Sequence, residues 1–511
     1  MNQHLLSIAL GSPFIGALLL LLVPQTSKGL LRAVALASAI PPLVVSLVLL
    51  WLYDLNTGGM QFLESYQLVP SLGIQYRLAV DGLSLALLPL TAVIYLTAIT
   101  TTWYLGTREK EFFLFMALLV TGVFGVFTSL DLFLFFLFYE LAVLPMYVLI
   151  GVWGSSMPVQ GKGPFGFTYS AVKVGIKEYG AMKLTLYLLA GSAFILVGLF
   201  MVYVEGGRQL GQATFDFSQL QSLQFTGSSA RAMFLLFYVG FGVLAGIWPL
   251  HTWSPDGHAS APAAGSMMHA GVLMKLGAFG MLRLGFQLLP DAAHDLAWLV
   301  GLIAVINIVY GAFGAAWQTD IKYLIAYSSV SHMGVVMLGM ATMTAAGLSG
   351  SVFQMVAHGI MTALFFTLVN MIYHKAHTRD MTTMGGLGHR MPGMVTFFVL
   401  AGLSSLGLPG LAGFVAEFLV FLGAWGSAHS WWLLPAVAGA FITSIYVLRA
   451  VTRIFFGPPN PKFGEIRDVH GMEWVTLVVL GGLLVLLGLV PRLILDSIHV
   501  GVGELLARLG G

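Results

Sequence analysis

Residues 132–147 read Leu132-Phe-Leu-Phe-Phe-Leu-Phe-Tyr-Glu140-Leu-Ala-Val-Leu-Pro-Met-Tyr147, an apolar run around one carboxylate. With its flanks, this run is long enough to cross a bilayer as a helix. The whole chain has the same character, because 58% of its 511 residues are hydrophobic, 9% are charged and the mean hydropathy is +0.90. The composition therefore predicts an integral membrane protein and excludes a soluble globular one.

Charge and cysteine usage exclude further classes of function. The formal net charge of +2 is small for this length, so nucleic acid is not an expected partner. The sequence contains no cysteine, which excludes disulfides, thiolate catalysis and cysteine-ligated iron–sulfur clusters. Any electron transfer in which the protein takes part is therefore expected in another chain.

Apolar runs of about twenty residues predict an all-α fold of about fourteen transmembrane helices. The predicted spans lie near 4–23, 30–53, 79–105, 111–129, 131–153, 180–204, 232–250, 262–287, 296–316, 320–341, 349–374, 392–422, 431–456 and 473–495. Lys and Arg are concentrated in one set of loops, so the positive-inside rule predicts that both termini lie outside the cytoplasm.

Ionisable residues inside apolar helices carry the prediction of function, since each costs about 3 kcal/mol or more to insert unpaired. Glu140, Lys275 and Glu417 all lie well within predicted spans. A desolvated lysine such as Lys275 is a group that can give and take a proton. The alternative for Glu140 is a carboxylate that pairs with one basic neighbour and only fixes helix packing.

Histidines extend this pattern. His332 and His358 occupy mid-span positions and, with Lys322 and Lys275, indicate a chain of titrating groups suited to proton conduction. Taken alone, each histidine could equally be a hydrogen-bonded packing residue rather than a member of a proton relay. No metal site is predicted, because the histidines are scattered without metal-ligand spacing. The nearest cluster, His251, Asp256 and His258, falls at a helix break where capping and loop anchoring are at least as plausible as catalysis.

Two predicted spans are interrupted by proline. Pro249 ends the seventh span and Pro409 breaks the twelfth, five helices later. Corresponding breaks in two halves indicate the inverted repeats of a transporter fold, with the ion path at the midplane. We therefore predict N-terminal helices 1–3 in 1–110, a first five-helix repeat in 111–290, a second, inverted repeat in 291–456, and helix 14 with the tail in 457–511.

Several long motifs resemble the antiporter-like membrane subunits of proton-pumping NADH:quinone oxidoreductase (respiratory complex I), and subunit M (chain 4) among them. The likeness covers nearly the whole chain. The motifs are Phe138-Tyr-Glu140-Leu-Ala-Val-Leu-Pro145, Pro249-Leu-His-Thr-Trp-Ser-Pro-Asp-Gly-His258-Ala-Ser-Ala-Pro-Ala-Ala-Gly-Ser266, Gln318-Thr-Asp-Ile-Lys322-Tyr-Leu-Ile-Ala-Tyr-Ser-Ser-Val-Ser-His332-Met-Gly334, His377-Thr-Arg-Asp-Met381 and Gly413-Phe-Val-Ala-Glu417-Phe418.

The resemblance implies a proton-translocating subunit of the membrane arm, coupled to quinone reduction elsewhere. Glu140 would be the glutamate of the fifth helix, Lys275 the central lysine of the eighth, and Glu417 the glutamate of the broken twelfth. His332 and His358 would lie on the hydrated axis between them. NADH, FMN, iron–sulfur clusters and quinone are expected in partner subunits, and neighbouring antiporter-like subunits are expected as partners in a bacterial inner membrane.

The chain departs from the family at Leu244, where the lysine that usually partners the fifth-helix glutamate is expected. The usual pair switch cannot work unchanged, because no residue from Met233 to Trp248 is basic. Possible substitutes are a lysine from another helix or from the region Lys173 to Lys183, or His269, which resembles a histidine of the related subunit L. The connection at 155–179 also looks longer than in the family, as a tolerated loop or a site for a partner or lipid.

Three alternatives remain open from the sequence. The chain could belong to a multi-chain cation/proton antiporter, which would be distinguished by its partner chains and by sodium dependence. It could belong to a ferredoxin- or hydrogenase-linked relative. It could also be a structural spacer of the membrane arm whose channel is inactive, in which case Glu140→Gln would leave pumping unchanged.

Overall fold

The structure is a computed structural model that describes residues 4–103, 105–156, 176–458, 460–464 and 466–510. It is built almost entirely from helices that pack through their buried faces. The first half contains α1 (Leu5–Leu22), α2 (Lys28–Leu52), α3 (Gly82–Leu85), α4 (Leu87–Thr101), α5 (Glu109–Thr128), α6 (Leu132–Trp153), α7 (Lys177–Leu210), α8 (Phe217–Leu220), α9 (Gly227–Ala245), α10 (Trp253–Ser260), α11 (Ala263–Met268) and α12 (Met274–Gly280).

The second half continues in the same way. It contains α13 (Pro290–Trp317), α14 (Ile321–Ala341), α15 (Ala345–Ala376), α16 (Pro392–Ser405), α17 (Ala412–Gly426), α18 (Leu433–Phe455), α19 (Glu473–Leu489) and α20 (Arg492–Arg508). Two π-helical segments, His269–Leu273 and Met281–Gln287, flank α12.

Eleven described helices are long and apolar enough to cross a membrane by themselves. They correspond to eleven of the fourteen predicted spans. The other three predicted spans are interrupted: 262–287 by the π-helical segments, 392–422 by the break between α16 and α17, and 473–495 by a bend of 64° between α19 and α20. The multi-pass helical architecture is confirmed, and the count of fourteen stays a prediction.

The connection predicted at 54–78 contains a β-hairpin, which the all-α prediction did not include. Strands β1 (Gln61–Val69) and β2 (Ile74–Val80) pair antiparallel, with Tyr66 opposite Tyr76. The hairpin is tied to the helices by polar contacts, since the buried Glu64 accepts a hydrogen bond of 2.8 Å from the backbone N–H of Leu6. It therefore marks the same side of the protein as the start of α1.

Carboxylates cap two of the helices that carry candidate residues, α6 and α14. Asp131 accepts hydrogen bonds of 3.0 Å from the N–H groups of Phe133 and Leu134 at the start of α6. Asp320 does the same at α14, where it accepts from the N–H of Lys322 at 2.8 Å. These side chains satisfy backbone donors that the first helical turn leaves free. The ends of α6 and α14 are thereby fixed relative to the residues discussed below.

Both predicted breaks are present. Helix α9 ends at Ala245 and α10 begins at Trp253, with Pro249 between them. Helix α16 ends at Ser405 and α17 begins at Ala412, with Pro409 between them. Non-helical backbone at this depth is tolerated where it is buried in protein or lines a cavity.

Candidate functional site: a buried polar line across four helices

Four ionisable side chains follow one another through the protein, one from α12 of the first half and three from helices of the second half. Lys275 of α12 places Nζ 2.6 Å from Nδ1 of His358 of α15. The rings of His358 and His332 of α14 have centroids 5.4 Å apart. Nδ1 of His332 is 3.3 Å from Oε1 of Glu417 of α17. All four are at most 6% exposed, so they form a buried polar line that we call the central line.

The backbone around Lys275 is adapted to its position. The residue is the second of α12, which follows the π-helical segment His269–Leu273, and its Nζ also donates to the carbonyl of Ala270 within that segment. Short π-helical insertions are frequent at functional sites. The ammonium group, which is completely buried, thus has a backbone acceptor and an imidazole as its two partners.

At the other end of the line, the broken helix makes room for Glu417. Gly407 lies in the break with φ of +64°, and a Cβ atom at this position would approach Oε2 of Glu417 to 2.8 Å. His332 is held by two further polar groups, Oγ of Ser405 at 3.0 Å and Nε2 of Gln354 at 3.3 Å. The break therefore places the carboxylate against the histidine and fixes the orientation of the ring.

Two histidines next to Lys275 form a second contact. Nδ1 of His269 and Nε2 of His258 are 3.4 Å apart, and both side chains are 1% exposed. Trp253 packs edge-on against His269, with centroids 4.9 Å apart. From the sequence, capping and loop anchoring are at least as plausible for His258 as catalysis. The contact with His269 could not be predicted, because nothing local shows that residues 258 and 269 meet.

Lys322 lies away from the central line, at the start of α14. Its Nζ donates a hydrogen bond of 2.7 Å to the carbonyl of Ala261, which follows α10. It also lines a cavity of about 510 Å³ together with Thr100, Thr101, Thr102, Asn370, His374 and Glu473. The cavity opens on the side of the protein where Lys110 and Lys177 lie, opposite the hairpin, so it reaches the lysine-rich surface.

Glu140 is separate from these groups. It is half-buried on α6, where Leu137 and Leu144, one turn away on either side, are 52% and 50% exposed. Its Oε1 is buried and has no hydrogen-bond partner in the described part of the chain. Leu244 is completely buried in α9.

The proposed substitutes for a lysine at position 244 are engaged elsewhere. Lys183 pairs with Asp256 at 2.7 Å, Lys177 donates to the carbonyl of Val152 at 3.1 Å, and His269 contacts His258. Lys173 and residues 157–175 of the long connection lie outside the described residues. Across the described ranges, no group of three or more His, Asp or Glu side chains could hold a metal ion.

Comparison with known proteins places this geometry in a family. The profile of the NADH:quinone oxidoreductase/Mrp antiporter transmembrane family matches residues 165–443. Subunit M of the NADH-quinone oxidoreductase of Rhodobacter capsulatus is 34% identical over 98% of this chain and 96% of its own length. A chain 4 of the NAD(P)H-quinone oxidoreductase of Trichormus variabilis is 35% identical over 98% of this chain and 91% of its own length.

Solved structures show the same architecture. A chain of respiratory complex I from Thermus thermophilus superposes with a TM-score of 0.86 at 25% identity, covering 99% of this chain and all of that one. A chain of the Mrp complex from Dietzia sp. superposes with a TM-score of 0.83, covering 100% and 99%, but its 19% identity establishes only the fold. The chain is a multi-pass membrane protein that belongs to the NADH:quinone oxidoreductase/Mrp antiporter transmembrane family.

Proposed function

We propose that this chain is a proton-translocating membrane-arm subunit of a complex I-like NADH:quinone oxidoreductase. The observation that carries the proposal is the central line, in which Lys275, His358, His332 and Glu417 succeed one another across four helices. Buried ionisable groups of this kind mark proton relays in membrane proteins. The resemblance of nearly the whole chain to subunit M supports the same function.

Each residue has a role that its contacts support. Lys275 holds a proton in the middle of the protein and exchanges it with Nδ1 of His358. His332 lies one ring away, a separation that a single water can bridge. Glu417 accepts the proton from His332 beside the break in the twelfth span, where the backbone leaves its helical path.

Entry into the line is proposed from the lysine-rich side. Lys322 faces the cavity of about 510 Å³ and contacts the backbone at Ala261, and His258 contacts His269 close to Lys275. Lys322 and His269 are therefore placed on the entry side of Lys275. Glu140 is left off this route, since the described residues give its carboxylate no cation.

The redox chemistry is assigned to partner subunits. NADH, FMN, iron–sulfur clusters and quinone would be bound there, and a chain without cysteine offers no thiolate ligands for a cluster. The partners are proposed to include neighbouring antiporter-like subunits, and the location to be the bacterial inner membrane with both termini outside the cytoplasm. Moving one charge against 100 mV requires about 2.3 kcal/mol, which is within the range of a few coupled buried charges.

The proposal is tested by purifying the tagged chain in mild detergent, identifying the co-purified proteins by mass spectrometry and reconstituting the fraction into liposomes. We expect flavin and iron–sulfur subunits, NADH:quinone activity, and proton uptake that is reduced in Lys275→Met. The control is His499→Leu, which removes an exposed histidine of α20 outside the central line. Recovery of membrane chains alone, without redox proteins, would refute the assignment to complex I.

A cation/proton antiporter is the second candidate, because the fold is shared with a chain of the Mrp complex. It predicts purification with other membrane chains and transport that depends on sodium. A ferredoxin- or hydrogenase-linked complex predicts redox partners but no oxidation of NADH. A structural spacer predicts assembly into complex I with proton uptake unchanged in Lys275→Met.

A further inference from the structure

The first half of the protein contains a partly buried ion pair between two helices, and a hydroxyl group connects it to a third. Nζ of Lys183 on α7 is 2.7 Å from Oδ2 of Asp256 on α10, and the two side chains are 19% and 11% exposed. The other oxygen, Oδ1, accepts a hydrogen bond of 2.9 Å from the hydroxyl of Tyr323 on α14. Asp256 is therefore held by a cation on one oxygen and by a neutral donor on the other.

This pair lies beside the first broken helix. Asp256 belongs to α10, the short helix that follows the break at Pro249, and α7 passes α10 closely enough that a Cβ atom at Gly180 would lie 3.0 Å from the carbonyl oxygen of Asp256. Helix α10 also carries His258, which contacts His269. A change at the pair can therefore reach the entry side of Lys275 through a single short helix.

The other buried pairs of this half are placed differently. Arg283 binds Asp81 through two hydrogen bonds of 2.6 and 2.9 Å, and Arg77 pairs with Asp216. Both pairs include a residue in or directly after β2, so they fasten helices to the hairpin side. A third pair, Arg32 with the buried Glu109, joins α2 to the start of α5. Lys183 and Asp256 instead join helices at the break itself.

The position that the family uses for a charge pair is not available in this chain. Leu244 replaces the lysine, and Glu140 has no ion-pair partner in the residues that the structure describes. Resting on the function proposed above, we propose that Lys183 and Asp256 form the working charge pair of the first repeat, in place of residues 140 and 244. Tyr323 positions the carboxylate within it.

The chemistry of the pair is electrostatic. When Lys183 withdraws, the carboxylate of Asp256 keeps the hydroxyl of Tyr323 but loses its cation. The uncovered negative charge then favours a proton on the neighbouring groups, His258 on the same helix and Lys322 next to Tyr323. When Lys183 returns, that attraction is cancelled. Lys183 keeps its own proton throughout, and no covalent bond is made or broken.

The experiment measures protons moved per NADH oxidised by the complete complex in liposomes. We expect Asp256→Asn and Lys183→Met to lose the same share of this ratio as Lys275→Met, with NADH oxidation in the presence of an uncoupler unchanged. We expect Glu140→Gln to retain the wild-type ratio. The matched control is Glu205→Gln, which removes an exposed pair with Arg208 on the same helix α7 and is expected to change nothing.

Tyr323→Phe keeps the ion pair and removes only the hydroxyl, so it tests the proposal if Asp256→Asn does not assemble. We expect it to lower the ratio without lowering the amount of complex recovered. Wild-type ratios in both Lys183→Met and Tyr323→Phe would overturn the proposal, as would a loss in Glu140→Gln that the pair variants do not share. If Lys275→Met itself pumps normally, the proposed function fails rather than this inference.

Discussion

From the contact between Lys275 and His358, we predict that His358→Leu slows proton transfer through this chain. The variant removes the imidazole that lies 2.6 Å from Nζ and leaves the buried ammonium with the carbonyl of Ala270 as its only contact in the described structure. It also removes the ring that stands between Lys275 and His332. Leucine fills a similar volume, so the helices are expected to pack as before.

The magnitude follows from the lost hydrogen bond. A hydrogen bond to a charged group contributes about 1.5–3 kcal/mol. If this stabilisation is lost from the protonated intermediate of the transfer, each increase of about 1.4 kcal/mol in the barrier slows the transfer tenfold. We therefore expect proton transfer through this chain to slow by roughly 10- to 150-fold.

The assay is proton uptake by liposomes that contain the complete complex, followed with a pH-sensitive dye while NADH oxidation is recorded by absorbance. We expect fewer protons per NADH in His358→Leu and an unchanged rate of NADH oxidation when an uncoupler is present. His499→Leu serves again as the control, because this histidine is exposed. A normal ratio in His358→Leu would refute the view that protons pass along the central line.

Two further predictions concern packing. Asp81→Asn breaks a buried pair with Arg283 and should destabilise the chain by about 3–5 kcal/mol. Asp295→Asn breaks an exposed pair with Arg231 and should cost only about 0–1 kcal/mol. Thermal unfolding in detergent compares the two variants, and equal losses of stability would contradict the expected effect of burial. Gly277→Ala puts a Cβ atom 2.5 Å from a backbone oxygen of α9 and should destabilise the folded protein by about 1–3 kcal/mol. In Gly482→Ala the new Cβ atom meets nothing within 4 Å, so this variant should unfold at the wild-type temperature in the same assay.

Much of the membrane fold could be predicted because long apolar runs are a strong local signal. The span predicted at 320–341 matches α14, Ile321–Ala341. The span predicted at 180–204 corresponds to α7, which is longer and runs from Lys177 to Leu210. The last turns of α7 are helical but polar, so a search for apolar runs does not include them. The π-helical segments beside Lys275 could not be predicted, since they share the composition of an ordinary helix.

The central line was partly predictable for a related reason. A charge inside an apolar run is visible in the sequence, so Lys275, His332, His358 and Glu417 could each be identified as candidates. Their order in space depends on which helices pack together, and Lys275 and His358 are 83 residues apart. Asp256 was assigned to a loop, because its role depends on Lys183, 73 residues away on another helix.

The central line and the rest of the first half arrange their buried charges differently. From Lys275 to Glu417, successive side chains are in contact, except for a distance of 5.4 Å between the ring centroids of His358 and His332. In the first half, a lysine at position 244 would lie in α9, the helix that ends at the break. In the arrangement proposed above, the cation is instead Lys183 on α7, and its carboxylate is Asp256 in α10, on the far side of the same break. A charge pair that includes α10 acts directly on the segment that holds His258, whereas a pair between α6 and α9 would act through the close packing of α9 against α12 at Gly277. The proposed replacement therefore moves the pair from one side of the break to the other, and it leaves Glu140 outside the pair.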